Sequence, residues 1–212
     1  MSRLECFFDC SSPWSYIGFH NAQALAKEFG IEISWRPILV GGVFKAVDSE
    51  VLKSRESSWD GPKYRYNRKD IADWARVAGL KIVMPPRIFP INSAKAMRAC
   101  IIAGESGKIV PFATQVFEAY WSEDRDIAAD DVLAALCKDV GLDGTAVLAK
   151  ADTPEARQKL RDNGDELVRR GGFGAPTWFV DGDDMYFGND RLVLVREALR
   201  RHQDRPVVPE HR

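Results

Sequence analysis

Three short stretches of this 212-residue chain have the residue types and spacing to do chemistry. Ser12-Pro13-Trp14-Ser15 follows an apolar run and opens a helix, with serine as N-cap and proline at the first helical position. Unpaired N–H groups and the positive end of the helix dipole favour an anion there, and a hydroxyl can donate a hydrogen bond to it. Phe187-Gly188-Asn189-Asp190 opens the closing helix, where backbone N–H groups suit a carboxylate and Asp190 suits an ammonium. Gly174-Ala175-Pro176-Thr177 precedes a hairpin. Each stretch also has a purely structural explanation, namely helix capping at Ser12 and at Asn189 or Asp190, and an ordinary turn at Pro176. Lys45 is a candidate cation for an acidic substrate, although most lysines are simply solvated.

Other chemistries lack their residues. Cys6, Cys10, Cys100 and Cys137 form no C-x-x-C pair and suit neither a disulfide framework nor a zinc site. His20, His202 and His211 have no ligand spacing, so no metal is expected. Cys10 is a candidate reactive thiol, against the commoner reading of inert packing at the end of a buried strand. Thirty basic residues against 31 acidic ones leave a net charge of −1, with no footprint for nucleic acid or an anionic membrane surface. No apolar run is long enough for a membrane span, and Met1–Glu5 carries no signal-peptide pattern. Free thiols without an export signal point to the cytoplasm.

The elements around these residues follow a pattern. Leu4, Cys6 and Phe8 suit a mostly buried strand, Trp14 to Phe29 an amphipathic helix stopped by Gly30, and Ile31 to Trp35 a second strand ended by Pro37. From about Val47 to Arg170 strand signals vanish. Helices are expected before Gly79, over Ala94–Ala103, over Ile109–Trp121, from an Asp130 cap to Gly141, and from Thr153-Pro154 towards Arg170. Val51–Tyr64 reads as an irregular loop and Asp204–Arg212 as a surface tail. Two strands then flank Asp181-Gly182-Asp183, and a helix closes the chain with Leu192, Val195 and Leu199 inward.

A β-α-β half and a β-β-α half around a helical insert predict an α/β fold of thioredoxin type with a large all-helical insertion. The discontinuous thioredoxin-like domain would comprise 1–46 plus 172–212, and the insertion 47–171. Such folds carry a C-x-x-C redox pair at the strand-to-helix turn, where both sulfur positions here are serine. They also place a cis-proline opposite that turn, and the backbone before it pairs with a peptide-like ligand; Ala175-Pro176 stands in that place.

Phe8-Asp9-Cys10-Ser11-Ser12-Pro13-Trp14-Ser15-Tyr16, the Gly174–Thr177 loop and Phe187-Gly188-Asn189-Asp190-Arg191-Leu192 resemble the 2-hydroxychromene-2-carboxylate isomerases and kappa-class glutathione transferases. Asp70–Ala75 and Val116–Trp121 leading to Asp126-Ile127 extend the resemblance over nearly the whole chain. It implies a DsbA-like fold and a glutathione-dependent, homodimeric enzyme. Ser12 would hold the thiolate and be the catalytic residue, Ala175 and Pro176 would pair with the cysteinyl backbone, and Phe187, Gly188, Asn189 and Asp190 would bind the γ-glutamyl end. Lys45 matches a lysine on the substrate side, and Phe89 stands where a tyrosine is expected. The family's asparagine–arginine pair has no counterpart in Val51–Tyr64. The implied reaction is cis–trans isomerisation of a small aromatic keto acid by thiolate addition, bond rotation and elimination. The alternatives are a kappa-type transferase or peroxidase acting on electrophiles, a redox relative using Cys10, and a non-enzymatic glutathione- or peptide-binding module.

Overall fold

A computed structural model describes residues 3–47 and 61–203. The chain runs β1 (Leu4–Phe8), α1 (Pro13–Phe29), β2 (Ile33–Pro37) and α2 (Val40–Val47). After the gap come α3 (Pro62–Val77), α4 (Ala94–Glu105), α5 (Ile109–Phe117), α6 (Asp130–Asp139), α7 (Gly144–Ala151) and α8 (Pro154–Arg169). The last elements are β3 (Thr177–Val180), β4 (Asp184–Phe187) and α9 (Leu192–Gln203), with one 3-10 turn over Asn189–Arg191. The sheet order is β2-β1-β3-β4, with β1 parallel to β2 and antiparallel to β3, and β3 antiparallel to β4. This is the thioredoxin fold with helices inserted between β2 and β3. Among the described residues no helix is long and apolar enough to cross a membrane.

The sheet buries both faces, as the nearly unbroken apolar run of β1 requires. Leu4, Cys6 and Phe8 face one core with Trp178 and the helices of the insertion. Phe7 faces the other, with Ile38, Val43, Leu167 and Phe179. Helix α8 lies on this second side and shares its core with the strands, although it falls within the 47–171 segment. Asn163 donates to the Pro37 carbonyl at 2.8 Å and accepts from Arg36 at 3.1 Å, while Arg36 also pairs with Glu166. Arg170 pairs with Glu5 at 3.1 Å and lies over the Phe179 ring, 3.7 Å from its centre. A half-buried guanidinium over an aromatic face gains attraction from both the ring and the carboxylate.

Several boundaries differ from the sequence reading. Ile31 is not in β2: Gly30 sits at φ 63°, and the Ile31 N–H turns back to the Ala26 carbonyl, so both residues finish α1. Helix α3 begins at Pro62, inside the segment expected to be irregular; residues 51–60 and 204–212 lie outside the described residues. Asp130 is the first helical residue of α6 rather than its cap, which is Ala129. Helix α5 ends at Phe117 and widens into a π-helical turn over Glu118–Ser122. Ala119, Tyr120 and Trp121 of that wider turn are all buried. Helices α2 and α7 had no counterpart in the sequence reading.

Candidate functional site

The end of β1, the N-terminus of α1 and the loop before β3 meet at one edge of the sheet. Ser12, in extended conformation, caps α1: its Oγ accepts from the Ser15 N–H at 3.2 Å, and its carbonyl accepts from the Tyr16 N–H at 3.1 Å. The same hydroxyl donates to the Ala175 carbonyl at 3.3 Å, across 163 residues of chain. Ser12 is half-buried. The capping role and the contact with the loop therefore coexist, and two N–H groups of the first turn are already engaged by Ser12 itself. Ser15, the second serine of the turn, is fully buried, and its hydroxyl has no partner.

The Ala175–Pro176 peptide is cis. Pro176 packs on Gly18 of α1, where a β-carbon would come within 3.1 Å of the proline ring and 3.2 Å of Trp178. A side chain there would push the loop and the helix apart by a few tenths of an ångström. The Pro176 carbonyl accepts from the Gly188 N–H at 2.9 Å, and the Trp178 indole donates to the Gly188 carbonyl at 3.1 Å. The 187–190 segment is thus fastened to the proline loop, and hydrogen bonds link Ser12, Ala175, Pro176 and Gly188 into one cluster.

The remaining candidates are placed differently. Asn189 is 3% exposed; its side-chain oxygen accepts from the Asn21 amide of α1 at 2.9 Å, and its own amide nitrogen has no partner. Its side chain is turned into the protein beside a cavity of about 190 Å³ lined by Asn21, Trp74, Asp190 and Arg196, among others. The Asp190 carboxylate pairs with Arg191. Phe187 is exposed, with its ring 4.6 Å from that of Phe173. Lys45 is exposed on the last turn of α2, and no contact joins it to Ser12 among the described residues. Phe89 is half-buried, its ring 6.3 Å from Trp121, whose indole donates to the Cys10 carbonyl at 2.8 Å. It therefore reaches the Ser12 turn through Trp121.

The sequence assigns no role to Asp9 or Asn21, and places Trp121 in the core, where it is fully buried. The signals for the first two were a carboxylate closing an apolar strand and a polar residue amid the apolar residues of α1.

Cys10 is not placed as a redox nucleophile. All four cysteines are free and buried. Burial pushes the Cys10 thiol well up, and the neighbouring Cys100 adds to the effect; burial also pushes Cys137 up to about 11. The thiolate is the reactive form, so these thiols should be inert. In the native protein at about pH 8, a soluble aromatic disulfide reagent should label none of the four within minutes, whereas the denatured chain should give all four. Rapid labelling of Cys10 in the folded protein would restore the redox alternative.

Residues 3–200 match the family model described as the DSBA-like thioredoxin domain. The chain is 26% identical over 198 residues to a 2-hydroxychromene-2-carboxylate isomerase of Pseudomonas putida, covering 93% of this chain and 94% of the relative. It is 27% identical over 219 residues to glutathione S-transferase kappa 1 of Rattus norvegicus, covering 97% and 94%. A solved 2-hydroxychromene-2-carboxylate isomerase is similar in structure, with a TM-score of 0.81 at 25% identity, covering 94% of this chain and 95% of that one.

Proposed function

The chain belongs to the DSBA-like thioredoxin domain family, and from that premise we propose that it is a glutathione-dependent cis–trans isomerase of an aromatic keto acid of the 2-hydroxychromene-2-carboxylate type. The observation that carries this reading is the Ser12 hydroxyl at the tip of α1, touching the carbonyl that precedes a cis-proline. The position where thioredoxin folds keep a redox thiol holds a hydroxyl, and in this reading the sulfur arrives on a ligand.

The residues present suit such a ligand. Ser12 Oγ is fixed by the Ser15 N–H, so only its proton needs to swing from the Ala175 carbonyl towards an incoming anion. That rotation also frees the Ala175 carbonyl for a peptide N–H. Bound here, glutathione supplies a thiolate able to add reversibly to a conjugated double bond. A free thiol of pKa about 8.5 is mostly protonated at neutral pH. Lowering it by one to two units requires roughly 1.4–2.7 kcal/mol, within reach of one hydrogen bond to a charged group plus a helix terminus. In this reading Gly188 and the 189–190 segment hold the γ-glutamyl end, with Asp190 exchanging Arg191 for the ligand's ammonium. Lys45 and Phe89 lie on the substrate side, a homodimer is the working assembly, and the cytoplasm is its compartment.

The similarity to kappa 1 over 97% of this chain favours one second reading, a transferase that conjugates small electrophiles at the same site. Product analysis separates the two. Incubated with glutathione and 2-hydroxychromene-2-carboxylate, the isomerase should yield trans-o-hydroxybenzylidenepyruvate and return all its glutathione. Consumption of glutathione with an aryl halide, and no action on the chromene, would establish the transferase. Equal isomerisation without glutathione would overturn both.

A further inference from the structure

Asp9 is the most buried charged side chain near the Ser12 turn, with 0% of its surface exposed. It follows directly on β1, and its carboxylate is fully engaged. Oδ1 accepts from the Ser11 N–H at 2.9 Å, and Oδ2 accepts from the Val40 N–H at 2.8 Å. Its carbonyl accepts from the Ser12 N–H at 3.0 Å. Val40 is the first residue of α2, so the carboxylate sits at the positive end of that helix. The N–H groups of Ser11 and Val40 pull the acid's pKa down. Desolvation outweighs these contacts and leaves the acid above its ordinary value. Keeping a carboxylate here is costly, which a merely space-filling role would not require.

We propose that Asp9 is the positioning residue of the site, one carboxylate that sets the Ser12 turn and α2 relative to one another. Each of the two carries a candidate residue: Ser12 on the turn and Lys45 on α2. The assignment of those residues rests on the glutathione reading; the mechanical tie does not. Asp9 touches neither ligand nor substrate in this account and acts through the two N–H groups it holds.

The test uses Asp9→Asn, which keeps the shape but places an NH₂ against one of the two donors, and Val40→Pro, which deletes only the α2 donor at a position where proline fits a helix start. In the free protein, amide exchange at residues 10–12 and 40–43 should quicken about tenfold or more in Asp9→Asn, and only at α2 in Val40→Pro. With ligands, Asp9→Asn should raise both the pKa of the bound thiol and the KM for the keto acid. Val40→Pro should raise KM alone. A folded Asp9→Asn variant with exchange, thiol titration and KM all within about twofold of wild type would overturn the proposal. If Asp9→Asn does not fold, Val40→Pro decides, and an unchanged KM with unchanged α2 exchange would sink it. A wild-type protein that never binds the thiolate would instead remove the glutathione reading, leaving Asp9 to be judged by exchange.

Discussion

Ser12→Ala should leave a folded protein whose bound glutathione titrates at least one unit higher and whose turnover falls roughly 10- to 100-fold. The size follows from what is removed. A hydrogen bond to a charged acceptor contributes about 1.5–3 kcal/mol, and each 1.4 kcal/mol is about tenfold in rate or ionisation. Losing the cap costs about 1 kcal/mol of stability, which a domain of this size tolerates. A fall in activity could then be blamed on a frayed helix, because Ser12 Oγ also binds the Ser15 N–H. Ser12→Asp separates the two effects. Aspartate caps a helix as well as serine does and gains from the dipole, so stability should hold or rise. Its negative charge next to the sulfur should nevertheless oppose the thiolate and depress turnover at least as far as alanine does. Thiolate absorbance against pH, read with thermal denaturation for each variant, checks both. An active, stable Ser12→Asp enzyme with an unshifted thiol would reduce Ser12 to a cap.

The elements that hold this serine were legible where side chain and backbone agreed. Ser12-Pro13 and Gly30 mark the two ends of α1 within one residue, and Thr153 caps α8 through the Ala156 N–H. The failures have local causes. Gly41 and Gly42 disfavour a helix, yet α2 forms because Asp9 bonds its first N–H from another element and Val43 is buried beneath it. Gly144 hides the start of α7, which Asp143 caps through the Ala146 N–H. At the site, Ser12 and Pro176 stand out by their places in the thioredoxin topology, at the strand-to-helix turn and opposite it. Asp9 does not, since a lone acid after an apolar strand carries no periodic signal, and its partners are 2 and 31 residues away in sequence. The sequence offers Asn189 as a ligand-binding residue or a helix cap, but Asn21 of α1 takes its side chain inward. That contact depends on the helix and the closing segment crossing at one point, which no local pattern encodes.

Trp121→Ala should be the most destabilising single change in the chain's apolar interior near the site, by about 3–5 kcal/mol for the lost ring. Trp121 is fully buried, its ring centre lies 4.6 Å from that of Tyr120, and its indole N–H and carbonyl bond the Cys10 carbonyl and the Val83 N–H. At about 2–4 °C per kcal/mol for a chain of this length, the melting temperature should drop by roughly 6–20 °C. Trp121→Phe keeps most of the ring and deletes the indole donor, leaving the buried Cys10 carbonyl unpaired at a cost of about 1–3 kcal/mol. Because that carbonyl is two residues before Ser12, the smaller change should still reach the chemistry. Leu133→Ala, fully buried in α6 and without a contact to the turn among those described, supplies the control. It should cost about 2–5 kcal/mol in stability, yet leave the thiol titration untouched. If Trp121→Phe and Leu133→Ala, compared well below their melting temperatures, shift that titration equally little, the indole only fills space. If Trp121→Phe alone moves it, the π-helical turn of the insertion is part of what sets the reactivity at the tip of α1.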